Sequence, residues 1–296
     1  MKNNDIKNED ITISIVLYKE PFDIIYKTLE KLKSFNIIII DNDNNDELIK
    51  KIEKFFYIEK YVLNKINSGF SSGYNQAIRL CKSKFCLILG PDCVIEKNDI
   101  LKLKKSLEKY EECFLVSPTS YDKNENLTYT GGPLPENFPK DKILQISGDT
   151  CVESVLGACM LVKTKDINDI GMFDENFFLY FSDDDLCRKV KKIHKTIIQV
   201  FNAKCIHTHG NIKVNNKYYR TFIREYNLIH DSLYYFHKNK DEKYFQRNKK
   251  KIKSYFFKLL VKLLTLNILE FVKIFSKILA YYRFYFKFKW RGGRVV

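Results

Sequence analysis

No stretch of the 296-residue sequence is apolar for long enough to cross a bilayer. Between Phe256 and Phe288 the hydrophobic residues are interrupted by Lys262, Glu270, Lys273, Lys277 and Arg283, short of the ~18 uncharged residues a spanning helix requires. The opening MKNNDIKNED lacks the apolar core of a secretory signal, so none is expected. No C-x-x-C pair occurs among the eight cysteines (Cys81, Cys86, Cys93, Cys113, Cys151, Cys159, Cys187 and Cys205), whose neighbours are mostly apolar. They read as reduced, buried thiols of a cytoplasmic protein rather than a disulfide frame or a zinc site. The stretch NKINSGFSSGYNQAIRLC has Gly69 and Gly73 ahead of helix-forming residues, but lacks the third glycine of a Rossmann fingerprint and the Gly-Lys-Ser/Thr of a P-loop.

There is ample material for a core. Hydrophobic residues make up 45% of the chain and aromatics 15%, which excludes a disordered polymer and suits one large α/β domain with an appendage. The formal charge of +15 is concentrated late in the chain. From residue 211 onward 21 Lys or Arg face 5 Asp or Glu, a net of +16, which leaves 30 against 31 in the first 210 residues. The expected division is a nearly neutral domain over 1–210 and a basic helical region over 211–296.

Ile11 to Leu17 is a short apolar run ending in a Pro-containing turn. A helix-period segment follows through Phe35, then the apolar Ile37 to Ile40 and the polar cluster Asp41 to Asp46. Short apolar runs alternating with helical segments are the pattern of parallel strands joined by crossovers, and ligands of such sheets bind beyond the carboxyl ends of the strands. Asp41, Asn42 and Asp43 emerge there, either as ligand contacts or as a solvated turn. Further strands are expected at Ile58 to Leu63, Phe85 to Leu89 and Phe114 to Ser117, with a helix from Lys97 to Tyr110. Gly69 and Gly73 are read as turn residues, and Asn75, Ala77, Ile78 and Cys81 as the start of a helix. Asp92, after Gly90-Pro91, is either a cation ligand at a strand end or a turn aspartate. The long segment Tyr121 to Gln145 is expected to be a loop, able to cover the acceptor side of a cleft. A final strand pair, Thr196 to Phe201 and Lys204 to Ile206, delivers His207 and His209, either as ligands or as surface histidines.

The run FFLYFSDDDLCRKV, Phe177 to Val190, places three aspartates between aromatic residues and an amphipathic segment. Adjacent carboxylates repel when ionised, so a sequence gathers them where a metal, a cationic group or a proton is handled. Ser182 or Asp183 also suits the N-cap of a helix starting near Asp184, with Leu186, Val190 and Ile193 on its buried stripe. Capping needs one aspartate, not three.

Four segments in this order, ISIVLYKE, IIIIDNDNND, NSGFSSGYNQAI with ILGPDCVI, and GACMLVKTKDINDIGMFDENFFLYFSDDDLC followed by AKCIHTHG, resemble bacterial glycosyltransferase family 2, especially its rhamnosyltransferase-like members. The resemblance covers roughly Ile11 to Gly210 and implies a GT-A fold: a Rossmann-like, mostly parallel sheet flanked by helices, here with a C-terminal helical basic extension. It implies that Asp41 and Asn42 contact the base or ribose of a nucleotide, and that Asn67, Gly69 and Asn75 line its pocket. It further implies that Asp92 binds a divalent metal, Mg²⁺ or Mn²⁺, carrying the diphosphate. His207 is implied as a further metal contact, with His209 as second choice, Asp183 as general base, and Asp184 and Asp185 as acceptor contacts or supports of that base. The chain departs from the pattern at Ser182, where the family usually has Glu, and at Gly90, where it often has a residue of an Asn-Pro-Asp or Asp-x-Asp motif.

The implied activity is inverting transfer of a sugar, such as the deoxysugar rhamnose, from a nucleoside diphosphate to a hydroxyl of a glycan or lipid-linked acceptor in surface polysaccharide assembly. A catalytically inactive nucleotide- or sugar-binding protein of the same fold is the alternative. In the basic region, Tyr218 to Phe236 reads as an aromatic-striped helix. From Lys258 on, a helical wheel places Lys258, Lys262, Lys273, Ser276, Lys277 and Arg283 within about 120°. A basic amphipathic helix of this kind suits an anionic membrane surface at the cytoplasmic face, and a helical hairpin closing over the core or a partner-binding surface is the competing account. No nucleic-acid-binding motif accompanies the charge.

Overall fold

The computed structural model describes residues 8–137, 143–208 and 216–290; His209 and part of the Tyr121 to Gln145 loop lie outside them. The chain forms two compact units. One takes in the described residues through Asp174 and those from Ser182 to 208, and the other takes in Glu175–Phe181 and 216–290. The division falls close to the one expected at 210, except that Glu175–Phe181, just ahead of Ser182, belongs with the C-terminal helices.

The first unit is built on a nine-stranded sheet. In chain order its strands are β1 (Asn8–Leu17), β2 (Phe35–Asp41), β3 (Lys60–Leu63), β4 (Phe85–Leu89), β5 (Cys93–Ile95) and β6 (Cys113–Tyr121). After the short β7 (Gly131–Gly132) come β8 (Thr150–Val152), β9 (Ser154–Val155), β10 (Cys159–Lys163) and β11 (Thr196–His207). The spatial order is β3-β2-β1-β4-β10-β6-β11-β5, with β8 also on β11 and β7 paired separately with β9. β3, β2, β1, β4, β6 and β11 run in one direction, and β10, β5 and β8 run against them. The helices are α1 (Phe22–Glu30), α2 (Asp46–Glu53), α3 (Gly69–Leu80), α4 (Lys97–Lys109), α5 (Thr164–Asp169) and α6 (Ser182–Lys192).

Successive side chains of a strand point to opposite faces, so a continuous apolar run serves two cores. In β4, Leu87 and Leu89 join one cluster with Ile13, Ile15 and Leu103, while Cys86 and Ile88 join the other with Tyr74, Ala77 and Leu186. Three local expectations are corrected. α3 begins at Gly69 rather than near Asn75, so Gly73 is not in a turn but inside the helix, where a Cβ would meet Val16 Cγ1 at 2.8 Å. The expected strand pair after Lys195 is one long strand, β11, with a register shift between Val200 and Lys204. Part of the Tyr121 to Gln145 segment is ordered as a Tyr121–Leu127 bridge and β7.

The second unit comprises α7 (Lys217–Lys238), α8 (Glu242–Leu264) and α9 (Ile268–Phe284) with the segment Glu175–Phe181. Phe177 packs against Tyr234 at 4.8 Å between ring centroids, in a core with Leu233, Tyr235 and Phe284. Asp231, fully buried, accepts the N–H groups of Leu179 at 2.9 Å and Tyr180 at 3.0 Å. The lysines from Lys258 on do not share one helix face. The helix breaks at Leu266, with φ of 54°, and Asn267 caps α9, so α8 and α9 form a hairpin.

Gly73→Ala is expected to lower stability by about 1 kcal/mol, the cost of overpacking against Val16 outweighing the better helix propensity of alanine. In a Val16→Ala background the same substitution should become stabilising, as read from denaturant midpoints.

Candidate active site

The parallel strands end together, and the loops that leave them carry most of the polar residues singled out in the sequence. Beyond β4, Gly90 to Cys93 is a hydrogen-bonded turn, with Cys93 N–H donating to the Gly90 carbonyl at 3.0 Å. Thr208, after β11, donates from both its N–H and its hydroxyl to the Asp92 carbonyl at 3.1 Å, and β11 pairs with β5 so that His207 stands opposite Cys93. This brings His207 Nε2 to 3.2 Å from Asp92 Oδ2. Asp92 is therefore both the turn residue and the partner of His207.

Ligand atoms of Asp92, Cys93 and His207 all lie within 4.8 Å of one another. Cys93 is the buried, free thiol expected from the sequence, and it also stands beside Asp92 and His207. Hydrogen bonding to Cys205, together with burial, holds the Cys93 thiol well above its ordinary pKa, so it stays protonated behind the two harder donors. One carboxylate oxygen and one imidazole nitrogen suit a divalent ion that keeps its remaining positions for phosphate oxygens and water. Asp92 and His207 fit Mg²⁺ or Mn²⁺.

Beyond β2, Asp41 is fully buried. Its carboxylate accepts from Asp43 N–H at 2.7 Å, Asn45 N–H at 3.3 Å and the Tyr61 hydroxyl at 3.1 Å, while burial raises its pKa. Asn42 accepts from Asn64 and from the Ser68 hydroxyl and donates to the Gly69 carbonyl, and Asn67 accepts from Gly69 N–H. Asp41 thus closes the turn after β2, and Asn42 shapes the loop at Gly69, where φ is 79°. Asn75 is buried, and its amide donates to the Phe173 carbonyl at 2.9 Å and accepts from Phe173 N–H at 3.0 Å, holding that segment in place.

The three aspartates face three different surroundings. Asp183, half-buried at the start of α6, accepts from Gly157 N–H at 2.9 Å through Oδ2 and from Asp184 N–H at 3.0 Å through Oδ1. Asp184 is fully buried and accepts from the Ser154 hydroxyl at 2.7 Å, and Asp185 is 2% exposed. Neither is exposed to solvent. Ser182, standing where the resembled motif has Glu, is buried and hydrogen-bonded to the Ser71 hydroxyl at 2.8 Å, tying α6 to α3. Leu186 and Val190 are buried as expected of the helix, but Ile193 lies past its end and is exposed.

Two contributors were missed in the sequence. Gly157 holds Asp183, and the adjacent Ala158 carbonyl accepts the Gly90 N–H at 2.7 Å, so this dipeptide links the Asp183 and Asp92 elements. Glu20, after β1, accepts from Tyr18 N–H, and burial together with the charges of Asp92 and Asp41 pushes its pKa up to about 7. Burial is the main cause of this shift, and the charges of Asp92 and Asp41 add to it.

Between pH 4.5, the ordinary value, and about 7 the folded chain keeps a Glu20 proton that the unfolded chain has released, so stability falls as pH rises through that window. Glu20→Gln, measured with EDTA present, is expected to raise the melting temperature by roughly 5–10 °C at about pH 8 and to leave it nearly unchanged near pH 4.

Residues 12–171 match the family model described as Glycosyl transferase family 2. The low-salt glycan biosynthesis hexosyltransferase Agl10 of Haloferax volcanii is 27% identical over 218 residues, covering 67% of this chain and 67% of the relative. Rhamnosyltransferase WbbL of Escherichia coli K12 is 25% identical over 233 residues, covering 68% of this chain and 86% of the relative. Among solved structures, GalNAc-T7 with UDP, GalNAc and Mn²⁺ superposes with a TM-score of 0.55 at 12% identity, a likeness of fold; it covers 71% of this chain, which spans less than half, 45%, of that one. With more than half of its residues inside the family's span, and the expected GT-A sheet in place, the chain belongs to glycosyltransferase family 2 and is a glycosyltransferase.

Proposed function

We propose that the chain transfers a hexose or deoxyhexose from a nucleoside diphosphate to a hydroxyl of a glycan or lipid-linked acceptor, with inversion, in the assembly of a bacterial surface polysaccharide. The observation that carries this reading is the frame at Gly157-Ala158. It holds the half-buried carboxylate of Asp183 on one side and the turn bearing Asp92 on the other. The names of the relatives, a hexosyltransferase and a rhamnosyltransferase, support the class of sugar.

Asp183 Oδ accepts the acceptor hydroxyl proton as that oxygen attacks the anomeric carbon from the face opposite the diphosphate. The bond from the anomeric carbon to the phosphate oxygen breaks and its electron pair leaves with the diphosphate, so a single displacement inverts the configuration. Asp92 and His207 would hold Mg²⁺ or Mn²⁺, which supplies positive charge against the leaving diphosphate. Asp184 and Ser182 hold the first turn of α6, and with it Asp183, in place. Asn67, Gly69 and the loop that Asn42 organises form one wall of the nucleotide pocket. Among the described residues no helix is long and apolar enough to cross a membrane. The basic helical region suits peripheral attachment at the cytoplasmic face of a membrane, where lipid-linked acceptors are found.

Asp183→Asn is expected to reduce transfer by about 10²–10⁴-fold, read as nucleoside diphosphate release with acceptor and Mn²⁺, while donor binding persists. Wild-type turnover in this variant removes Asp183 from the base role. In a thermal-shift screen of nucleoside diphosphates and nucleotide sugars, wild-type protein should be stabilised by about 3 kcal/mol at ligand concentrations a hundred times Kd. Asp92→Asn should lose the part of that stabilisation that depends on Mn²⁺.

A further inference from the structure

On the hairpin of the second unit, Lys258 and Lys262 from α8 and Lys273 and Lys277 from α9 line one groove of about 480 Å³ with Tyr255 and Glu270. Lys258 and Lys277 reach the Tyr255 ring from different helices, at 5.9 and 6.0 Å from its centroid. Glu270 pairs with Lys273 at 3.2 Å and Glu225 with Lys277 at 3.1 Å, whereas among the described residues no carboxylate pairs with Lys258 or Lys262. With Lys273 and Lys277 offset by carboxylates, Lys258 and Lys262 leave the groove a net positive charge that an anion seated between them would balance. The groove adjoins an apolar lip. Lys262 lies in the last turn of α8, and around that end of the hairpin Phe257 is 72% exposed, Leu264 74% and Leu266 78%. Cations beside large exposed apolar side chains match a surface whose phosphates lie directly above hydrocarbon.

We propose that the α8–α9 hairpin docks on an anionic phospholipid bilayer, its lysine groove seating a headgroup phosphate and Phe257, Leu264 and Leu266 entering the acyl boundary. This rests on the membrane arm of the function proposed above and not on transfer activity. It also differs from the single basic helix face expected in the sequence, since the cations meet across two helices. Attachment at a hairpin tip depends on which lysines are removed, and not only on how many.

The test is sedimentation of the full chain with vesicles of phosphatidylcholine alone and with vesicles that also contain phosphatidylglycerol. Wild-type protein should sediment with the anionic vesicles, weakly or not at all with the neutral ones, and less as salt increases. Each lysine at such a surface corresponds to about a five-fold change in affinity, so Lys258→Gln with Lys262→Gln should weaken binding about 30-fold. Lys249→Gln with Lys251→Gln removes the same charge from exposed positions of α8 outside the groove and should weaken it markedly less. Leu264→Asp with Leu266→Asp should abolish it. Equal losses from the two lysine pairs would overturn the groove in favour of diffuse attraction. Binding of inorganic phosphate that depends on the groove lysines, with no retention on vesicles, would show a free-phosphate site instead. Retention on single-stranded RNA but not on vesicles would move the surface to nucleic acid. The thermal shift produced by nucleoside diphosphates, a property of the first unit, should be unchanged in all these variants, so loss of vesicle binding and failure of the donor reading remain separate results.

Discussion

Gly157 N–H donates to the Asp183 carboxylate, and the next residue, Ala158, accepts the Gly90 N–H through its carbonyl. Through these two backbone groups one dipeptide at the entrance to β10 sets the carboxylate at the head of α6 and the turn that presents Asp92. A Cβ at position 157 would stand 2.9 Å from Phe70 Cζ and 3.3 Å from Asp183 Cβ, so the close approach that allows the bond depends on glycine. Backbone groups have no rotamers to lose. A site hung on them keeps its geometry without the entropy cost of ordering long side chains.

Around this frame, polar side chains are spent on holding backbone. Asp41 closes the turn after β2, Asn42 the loop at Gly69, Asn75 the segment at Phe173, and Asp184 binds Ser154. Each is buried, and leaving such a group unpaired costs about 1–3 kcal/mol, so these contacts resist rearrangement. The three consecutive aspartates are accordingly no shared cation site. Helical geometry at the start of α6 sends their side chains in different directions, and only Asp183 keeps partial access to solvent.

Much of this was legible in the sequence. β4 is FCLIL between turn residues, an apolar run that only a strand buried on both faces explains, and its limits match expectation. The Asp92–His207 pairing came from resemblance alone, because it depends on antiparallel pairing of β5 with β11, and β5 is three residues long with no periodicity to display. The place of Cys93 beside them was hidden for the same reason. α3 was expected late because glycines at 69 and 73 signal turns, yet at Gly73 the missing side chain lets the helix lie close against Val16. The hydrogen-bond partners of Asp41, Asn42 and Asn75 were illegible, since the residue types that bind ligands also cap turns and loops. Leu266 gave no hint of the break between α8 and α9, because a leucine with positive φ has no sequence signature.

The segment Glu175–Phe181 has a bearing on where this protein can be cut. Its Phe177 and the N–H groups of Leu179 and Tyr180 are satisfied by Tyr234 and Asp231 of α7, although the residue after Phe181 opens the helix that carries Asp183. A chain shortened at the end of β11 would keep every strand of the sheet and still lose the partners of Phe177, Leu179, Tyr180 and Phe181, which lead into α6. What charge alone marks as a detachable basic tail holds the chain that leads into α6, and a truncation that keeps those contacts has to extend through α7.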